Sequence, residues 1–314
     1  MTSLVSICIP CHNAARYVGL ALESVLAQTW QNFEIIVVND GSTDQSADVL
    51  NAVADPRVTV IHEHCGSAAK ARNRAFSEAQ GDYVKFFDAD DLLSPEHLEC
   101  QMSRLEGRQD AIAISEWGRF YYDDFSTFKA NPQEVLRDMK ATDWLVEAWR
   151  DARPMMQPGM FLIPRSSLDI LVAWDESLSL IDDFEFFARV LSQSQEVLFT
   201  PGATLYYRSG VSGSLSGHKS RQAVESAFHS LLRGTGHLLA TRDDPEARRS
   251  CANVLQDFIY TYYPDHADLR EEIADRVAEL GGSDLDPDGP PRFKQLRRIV
   301  GWKAARRIQN AFRP

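Results

Sequence analysis

No apolar run in the 314 residues approaches the ~20 positions that a membrane-crossing helix needs. Met1 to Pro10 lacks the basic start and long apolar stretch of a secretory leader, so a cytoplasmic location is expected. Neither G-x-G-x-x-G nor G-x-x-x-x-G-K-S/T occurs, which disfavours a dinucleotide site and a P-loop. Positive charge is scarce. The 33 Lys and Arg face 45 Asp and Glu, and the net charge of −12 argues against nucleic acid as a partner. Cysteine is sparse as well. Cys8, Cys11, Cys65, Cys100 and Cys251 are odd in number and scattered, which excludes a disulfide framework. Cys8 and Cys11 spell C-x-x-C, but within an apparent strand rather than at the helix start that activates such a thiol. His62-Glu63-His64-Cys65 has no second ligand pair at zinc spacing and reads as loop.

The most informative stretch is Tyr83-Val84-Lys85-Phe86-Phe87-Asp88-Ala89-Asp90-Asp91. A short apolar strand ends there in a crowd of carboxylates. In open α/β sheets that strand edge is where ligands bind. Carboxylates so close repel one another unless a cation stands among them, and oxygen donors suit Mg²⁺ or Mn²⁺. The plainer alternative is a solvated acidic turn ahead of a helix capped by Ser94 with Pro95 in its first turn.

Around this stretch, apolar runs alternate with helical patterns. Leu4–Ile9, ended by Pro10, then Phe33–Val38 and Val58–Ile61 read as buried strands. Asn13 is a plausible cap for a helix from Ala14 to about Gln28, and Gly66-Ser67 opens another that runs to Gln80. The alternation predicts an α/β fold with a mostly parallel sheet flanked by helices. Asn13, Asp40, His62 to Ser67 and Asp88 to Asp91 should then meet at one edge. Backbone N–H groups near Gly66, and Lys70 and Arg72, are placed to meet phosphates there, unless they simply form a solvated helix face.

Further on, Ala111–Glu116 and Gly118–Tyr122 read as strand, Pro132–Trp149 as helix in two pieces, and Gln157–Ile163 as extended. Asp182 and Asp183 open a helix with Phe184, Phe187, Ala188 and Leu191 on one face. They are either dipole-complementing acids or a positioned base. Val197–Thr200 and Ala203–Arg208 read as two short strands. Ser209–Ser220, with His218 and Lys219 near its end, is a Gly/Ser loop suited to a lid. Helical pattern follows, broken by a Gly/Pro/Asp linker at Gly281–Pro291. The tail from Arg292 to Arg313 holds eight Lys or Arg, no acid and interleaved apolar residues. It is expected either to lie on a membrane surface or to dock on the protein's own acidic surface or a second subunit.

Four segments, Val5 to Asn13, Ile36 to Asp44, Ala71-Arg72-Asn73 and Phe87 to Asp91, closely resemble family-two inverting glycosyltransferases of the GT-A fold. Trp174-Asp175-Glu176, Asp182-Asp183 and Tyr207-Arg208 with Ser214 resemble that family's acceptor-half motifs. The resemblance implies a GT-A domain over 1–220, with a nucleotide-sugar half (1–110) and an acceptor half (111–220), and a helical region over 221–314. It implies transfer of a sugar from a UDP- or dTDP-sugar to the hydroxyl of a saccharide or lipid-linked acceptor. Pro10, Cys11 and Asn13 would line the base pocket with Arg72 nearby, and Asp40 would accept the pyrimidine N3–H. Asp88 and Ala89 would meet the donor, Asp90 would hold Mn²⁺ or Mg²⁺ with His218, Arg208 would assist the diphosphate, and Asp183 would be the base. Where the family often has an aromatic residue this chain has Cys11, and its acid pair is Asp-Asp rather than Glu-Asp. Processive synthases carry QxxRW, which is absent here. Two alternatives remain: a nucleotide-sugar-binding module without turnover, and a membrane-tethered scaffold. A glycoside hydrolase also uses paired carboxylates but needs neither metal nor base pocket.

Overall fold

The structure is a computed structural model that describes residues 3–152, 155–171, 173–210 and 220–311. β1 (Val5–Cys11), β2 (Phe33–Asp40), β3 (Val58–Glu63) and β4 (Tyr83–Phe86) run parallel in the spatial order β3-β2-β1-β4, joined through α1 (Val18–Leu26), α2 (Ser46–Asn51) and α3 (Ala68–Glu78). Ile7, Ile9, Ile35 and Val37 are fully buried, as expected of strands covered on both faces.

Pro10 does not end β1; it pairs in register with Val38. The Phe87 N–H donates to the Cys8 carbonyl, so residue 10 faces the same neighbour just after β4 has ended. The N–H that proline lacks would have had no partner there. Asn13 does not cap α1, which starts at Val18 after Tyr17. Asn13 instead adopts φ 49° and spends its side chain on the next loop.

Beyond β4 follow β5 (Leu92–Leu93), α4 (His97–Leu105), β6 (Ala111–Tyr121), β7 (Asp124–Ala130), β8 (Met139–Lys140), α5 (Ala141–Trp149), a 3-10 turn (Pro158–Met160), β9 (Phe161–Pro164), α6 (Arg165–Leu171), α7 (Asp182–Gln193) and β10 (Glu196–Ser209). The sheet continues as β4-β9-β6-β10-β5, with β9 antiparallel to both neighbours, β6 parallel to β10, and β7 and β8 pairing with β6 and β10. Ser94 caps no helix: α4 begins at His97, and the Ser94 hydroxyl bonds the Gly202 carbonyl. Residues 132–138 are turns, because β8 pairs with Glu196 and Val197 and holds the chain extended until Ala141. The two strands read around Pro201-Gly202 are one strand with a bulge, and Gly202 supplies the left-handed φ of 87°.

The chain closes with α8 (Arg221–Thr241), α9 (Pro245–Tyr262), α10 (Ala267–Glu279) and α11 (Pro291–Ala311). α8 packs along α7. α11 is broken at Gly301 (φ 77°, ψ 159°), and its Phe293 and Ala305 are buried.

Candidate active site

The first three loops at the sheet's C-terminal edge knit to one another. The Asp40 carboxylate accepts the N–H groups of Cys65 (2.6 Å) and Gly66 (2.8 Å), tying the end of β2 to the start of α3. Gly66 has a left-handed φ of 81°, and its N–H is committed to Asp40 rather than offered to a phosphate. The second Asp40 oxygen carries no hydrogen bond among the described residues. The Asn13 amide oxygen accepts from Thr43 N–H (2.8 Å). His12 donates from Nδ1 to the Asp40 carbonyl (2.6 Å), which leaves Nε2 to accept from Asn13. Cys11 is 1% exposed and burial pushes its thiol up to about 11, so it offers the edge only its backbone. Pro10 is half-buried, and Lys70 is exposed on the first turn of α3, whose cap is Ser67.

Arg72 stands elsewhere than the sequence suggests. It is 6% exposed, 2.9 Å from both Asp88 and Asp182, and its guanidinium lies 4.3 Å from the Trp174 ring centre. Buried between two carboxylates, it stays charged and bridges the β4 loop to α7. Asn73 secures the same junction through the Trp174 N–H (2.8 Å) and carbonyl (3.0 Å). The Ala71-Arg72-Asn73 and Trp174-Asp175-Glu176 motifs therefore meet, although Asn73 and Trp174 are 101 positions apart in sequence.

The carboxylates themselves are poorly compensated. Burial, then Asp88, pushes the half-buried Asp90 up to about 6. Asp91 is 1% exposed; burial, then Asp90 and Asp88, drives it well above the usual carboxylate range. One Asp91 oxygen accepts the Arg208 N–H (2.9 Å), while the other is buried without a partner among the described residues. Ala89, between them, is buried. Asp183, at the start of α7, is pushed up to about 7, chiefly by burial and then by Asp182, with Arg72 opposing. That value suits a general base near neutrality.

Arg208 is 4% exposed and already engaged. It donates to the Asp90 carbonyl and to Asp123, and lies over the rings of Tyr17 (4.8 Å) and Phe120 (4.6 Å). Through these contacts Arg208 holds the carboxylate loop in place. His218 lies outside the described residues.

Several supports were not singled out from sequence. Ser230 donates to the Ile181 carbonyl (2.6 Å) and Ser226 accepts from Leu180 N–H (2.9 Å), clamping the left-handed turn at Ile181 (φ 51°) that aims the acid pair. Single serines on a long helix carry no sequence signal for this. Lys85 is fully buried behind the loop, donates to the Gly159 (2.7 Å) and Phe161 (3.1 Å) carbonyls, and is pushed well below its usual range by burial. A lysine inside an apolar strand was the available signal.

Beside the site a groove of about 810 Å³ opens between the β6–β7 hairpin, residues 131–135 and the end of α5, with Trp117, Arg119, Tyr121 and Gln133 on its walls. Arg119 lies 5.2 Å from the Tyr207 ring centre, and Tyr207 is pushed up to about 12 by burial and then by Asp91, Asp88 and Asp90. On the far side, Trp149 of α5 stacks on Phe184 of α7 at 4.7 Å. Through Arg119 and Tyr207 one wall of the groove adjoins the carboxylate loop.

A parallel sheet with acidic residues at its carboxyl edge and an opposed acid pair on a later helix defines a GT-A-type fold. The fold matches Staphylococcus aureus TarS 1–349 in complex with UDP-GlcNAc at a TM-score of 0.72, with 15% identity, over 99% of this chain and 93% of that one. The family model "Glycosyl transferase family 2" matches residues 6–171, and the chain belongs to that family. It is 34% identical over 158 residues to glycosyltransferase GlyG of Streptococcus pneumoniae serotype 4, a match covering 46% of this chain and 52% of GlyG. It is 43% identical over 115 residues to the Escherichia coli UDP-Glc:alpha-D-GlcNAc-diphosphoundecaprenol beta-1,3-glucosyltransferase WfaP, covering 36% of this chain and 46% of WfaP. The chain thus spans about half the length of these curated relatives.

Proposed function

We propose that the chain moves one sugar at a time from a nucleoside diphosphate donor, UDP or dTDP, to an acceptor hydroxyl with inversion. The observation that carries this reading is Asp183, held near neutrality by its surroundings and joined through Asp182 and Arg72 to the donor-side Asp88. In this reading residues 1–110 bind the donor, 111–220 the acceptor, and 221–314 form a helical region.

Among the described residues no three His, Cys, Asp or Glu side chains form a metal cage. Asp90, pushed up to about 6 beside Asp88, fits an ion that takes the rest of its shell from diphosphate and water. Mn²⁺ or Mg²⁺ held there would neutralise charge developing on the departing nucleoside diphosphate. The remaining chemistry belongs to the chain. The free oxygen of Asp40 is available to a base N–H, and the half-buried Asp183 takes the acceptor's proton. Attack from the side opposite the leaving group inverts the anomeric carbon. The Trp117–Tyr121 groove receives the rest of the acceptor, a saccharide or a lipid-linked saccharide. The name of WfaP specifies an acceptor of the second kind for that protein. Among the described residues no helix is long and apolar enough to cross a membrane. A cytoplasmic enzyme meeting a lipid-linked acceptor would then work at the inner membrane face.

The test is a melting-temperature panel with UDP, dTDP, GDP and CDP, each with and without Mn²⁺. A ligand that binds only the folded state raises the melting temperature by mass action. A metal-dependent rise with a pyrimidine diphosphate, lost in Asp90→Ala, is expected. No rise with any nucleotide would overturn the donor assignment.

A further inference from the structure

The basic tail is not one amphipathic helix. Its first turns are tied inward: Phe293 is 3% exposed, Lys294 pairs with Asp288 (2.8 Å), and Arg297 pairs with Asp286 (2.9 Å). After the break Trp302 packs on Tyr260 (4.9 Å) and Tyr263 (5.0 Å), and Arg306 lies over Phe293 at 4.4 Å. Phe293 and Trp302, the largest apolar groups among the described residues of the tail, are therefore spent on the protein itself.

What remains outside is a compact patch at the break. Ile299 is 82% exposed, Val300 44% and Ile308 40%. Arg298 and Lys303 flank the Ile299–Val300 pair, and Arg307 stands one turn beyond Lys303; all three are exposed. Among the described residues no carboxylate forms an ion pair with Arg298, Lys303 or Arg307. The left-handed φ of 77° at Gly301 interrupts the helix at this point and is readily adopted only by glycine.

We infer that this patch, Arg298-Ile299-Val300 with Lys303, Arg307 and Ile308, docks on an anionic lipid bilayer surface. Bare aliphatic side chains ringed by cations match the layered chemistry of a headgroup region: charge at the surface, hydrocarbon just beneath. A second copy would have to bring acidic and apolar groups together at this one small patch, whereas a bilayer surface offers both in layers everywhere. The tail carries eight Lys or Arg and no acid while the whole chain is at −12, so the rest of the protein is strongly acidic. An anionic surface would repel that body and attract only this end, which fixes orientation as well as contact. The inference stands apart from the proposed activity.

The experiment is flotation of the full-length protein with vesicles of phosphatidylcholine alone or of equal parts phosphatidylcholine and phosphatidylglycerol. Recovery with the anionic vesicles is expected to exceed that with neutral ones by about tenfold and to fall as salt rises from about 0.1 to 0.5 M. Arg298→Glu with Lys303→Glu should abolish it, and Ile299→Ser with Val300→Ser should reduce it, with melting temperatures unchanged because all four side chains are exposed. Equal recovery with both vesicles, no recovery of the wild type, or undiminished recovery of both double variants would overturn the inference. Light scattering supplies the rival outcome: a dimer lost in the same variants would assign the patch to a second copy instead.

Discussion

Two acidic loops stand at the same sheet edge and are built in opposite ways. At the end of β2, Asp40 gives one oxygen to two backbone N–H groups, and Asn13 and His12 close the neighbouring loops around it. Its charge is compensated within the chain, so this side is rigid before any ligand arrives. Past the end of β4, Asp90 and Asp91 are driven toward protonation, and the opposed Asp183 sits near 7. There the chain leaves negative charge uncompensated. The contrast separates a shape-giving half from a reacting half: one is preorganised by hydrogen bonds, the other is poised by desolvation.

The largest effect that tests this contrast is Asp183→Asn. Loss of a general base should lower transfer by about 10²–10⁴-fold while the UDP-induced melting shift stays intact. In the wild type kcat/KM should fall about tenfold per pH unit below pH ~7, because the base must be ionised in the free enzyme. Near-normal turnover in the variant would remove Asp183 from the chemistry.

Stability should respond in opposite directions on the two sides. Asp40→Ala removes charge-assisted bonds to two N–H groups and should cost about 2–4 kcal/mol, read by denaturant unfolding. Asp183→Asn should instead stabilise the ligand-free protein. The folded-state value of about 7 lies above that of an unfolded aspartate. The group's contribution is therefore present below pH ~4 and lost as pH rises through ~7. At pH 8 the ionised, half-buried carboxylate is a penalty that asparagine lifts, by about 1–2 kcal/mol after allowance for solvent screening. At pH 4 the gain should vanish. A variant less stable than wild type at pH 8 would contradict the strained-acid picture.

The smallest effect sharpens it. Asp182 is, after burial, the largest influence raising Asp183. Asp182→Asn should move the acid limb of the pH profile downward by roughly half a unit to one unit, while the amide can still reach Arg72. An unmoved limb would mean that burial alone sets the base.

The first hundred residues were the more legible in sequence. Continuous apolar runs gave the strands, and Asp40, Gly66 and Asp88 to Asp91 fell at their ends, so one parallel edge gathered them. What misled there was chemistry read one residue at a time. Pro10 looked like a strand stop, but a parallel neighbour ending early makes its missing N–H harmless. Asn13 looked like a cap, but its amide is worth more to the adjacent loop. Arg72 looked like a phosphate ligand; only the return of α7 across the sheet, 110 residues later, shows that it is a buried strut. In the second half, strand pairing overrode local pattern. The helical reading of 132–138 lost to β8, and Pro201-Gly202 made a bulge where a turn was expected. The tail reads in sequence as one basic amphipathic helix; its break at Gly301 and the inward use of Phe293 and Trp302 needed the structure.

The hydroxyl clamp from Ser226 and Ser230 has a consequence for how this protein can be divided. The family model's match ends at residue 171, before Asp182 and Asp183, and the turn that aims them is gripped by a helix further on still. A chimera cut soon after that match, between α7 and α8, would separate the acid pair from its grip. The transplantable unit is set by mechanical continuity and runs at least through α8.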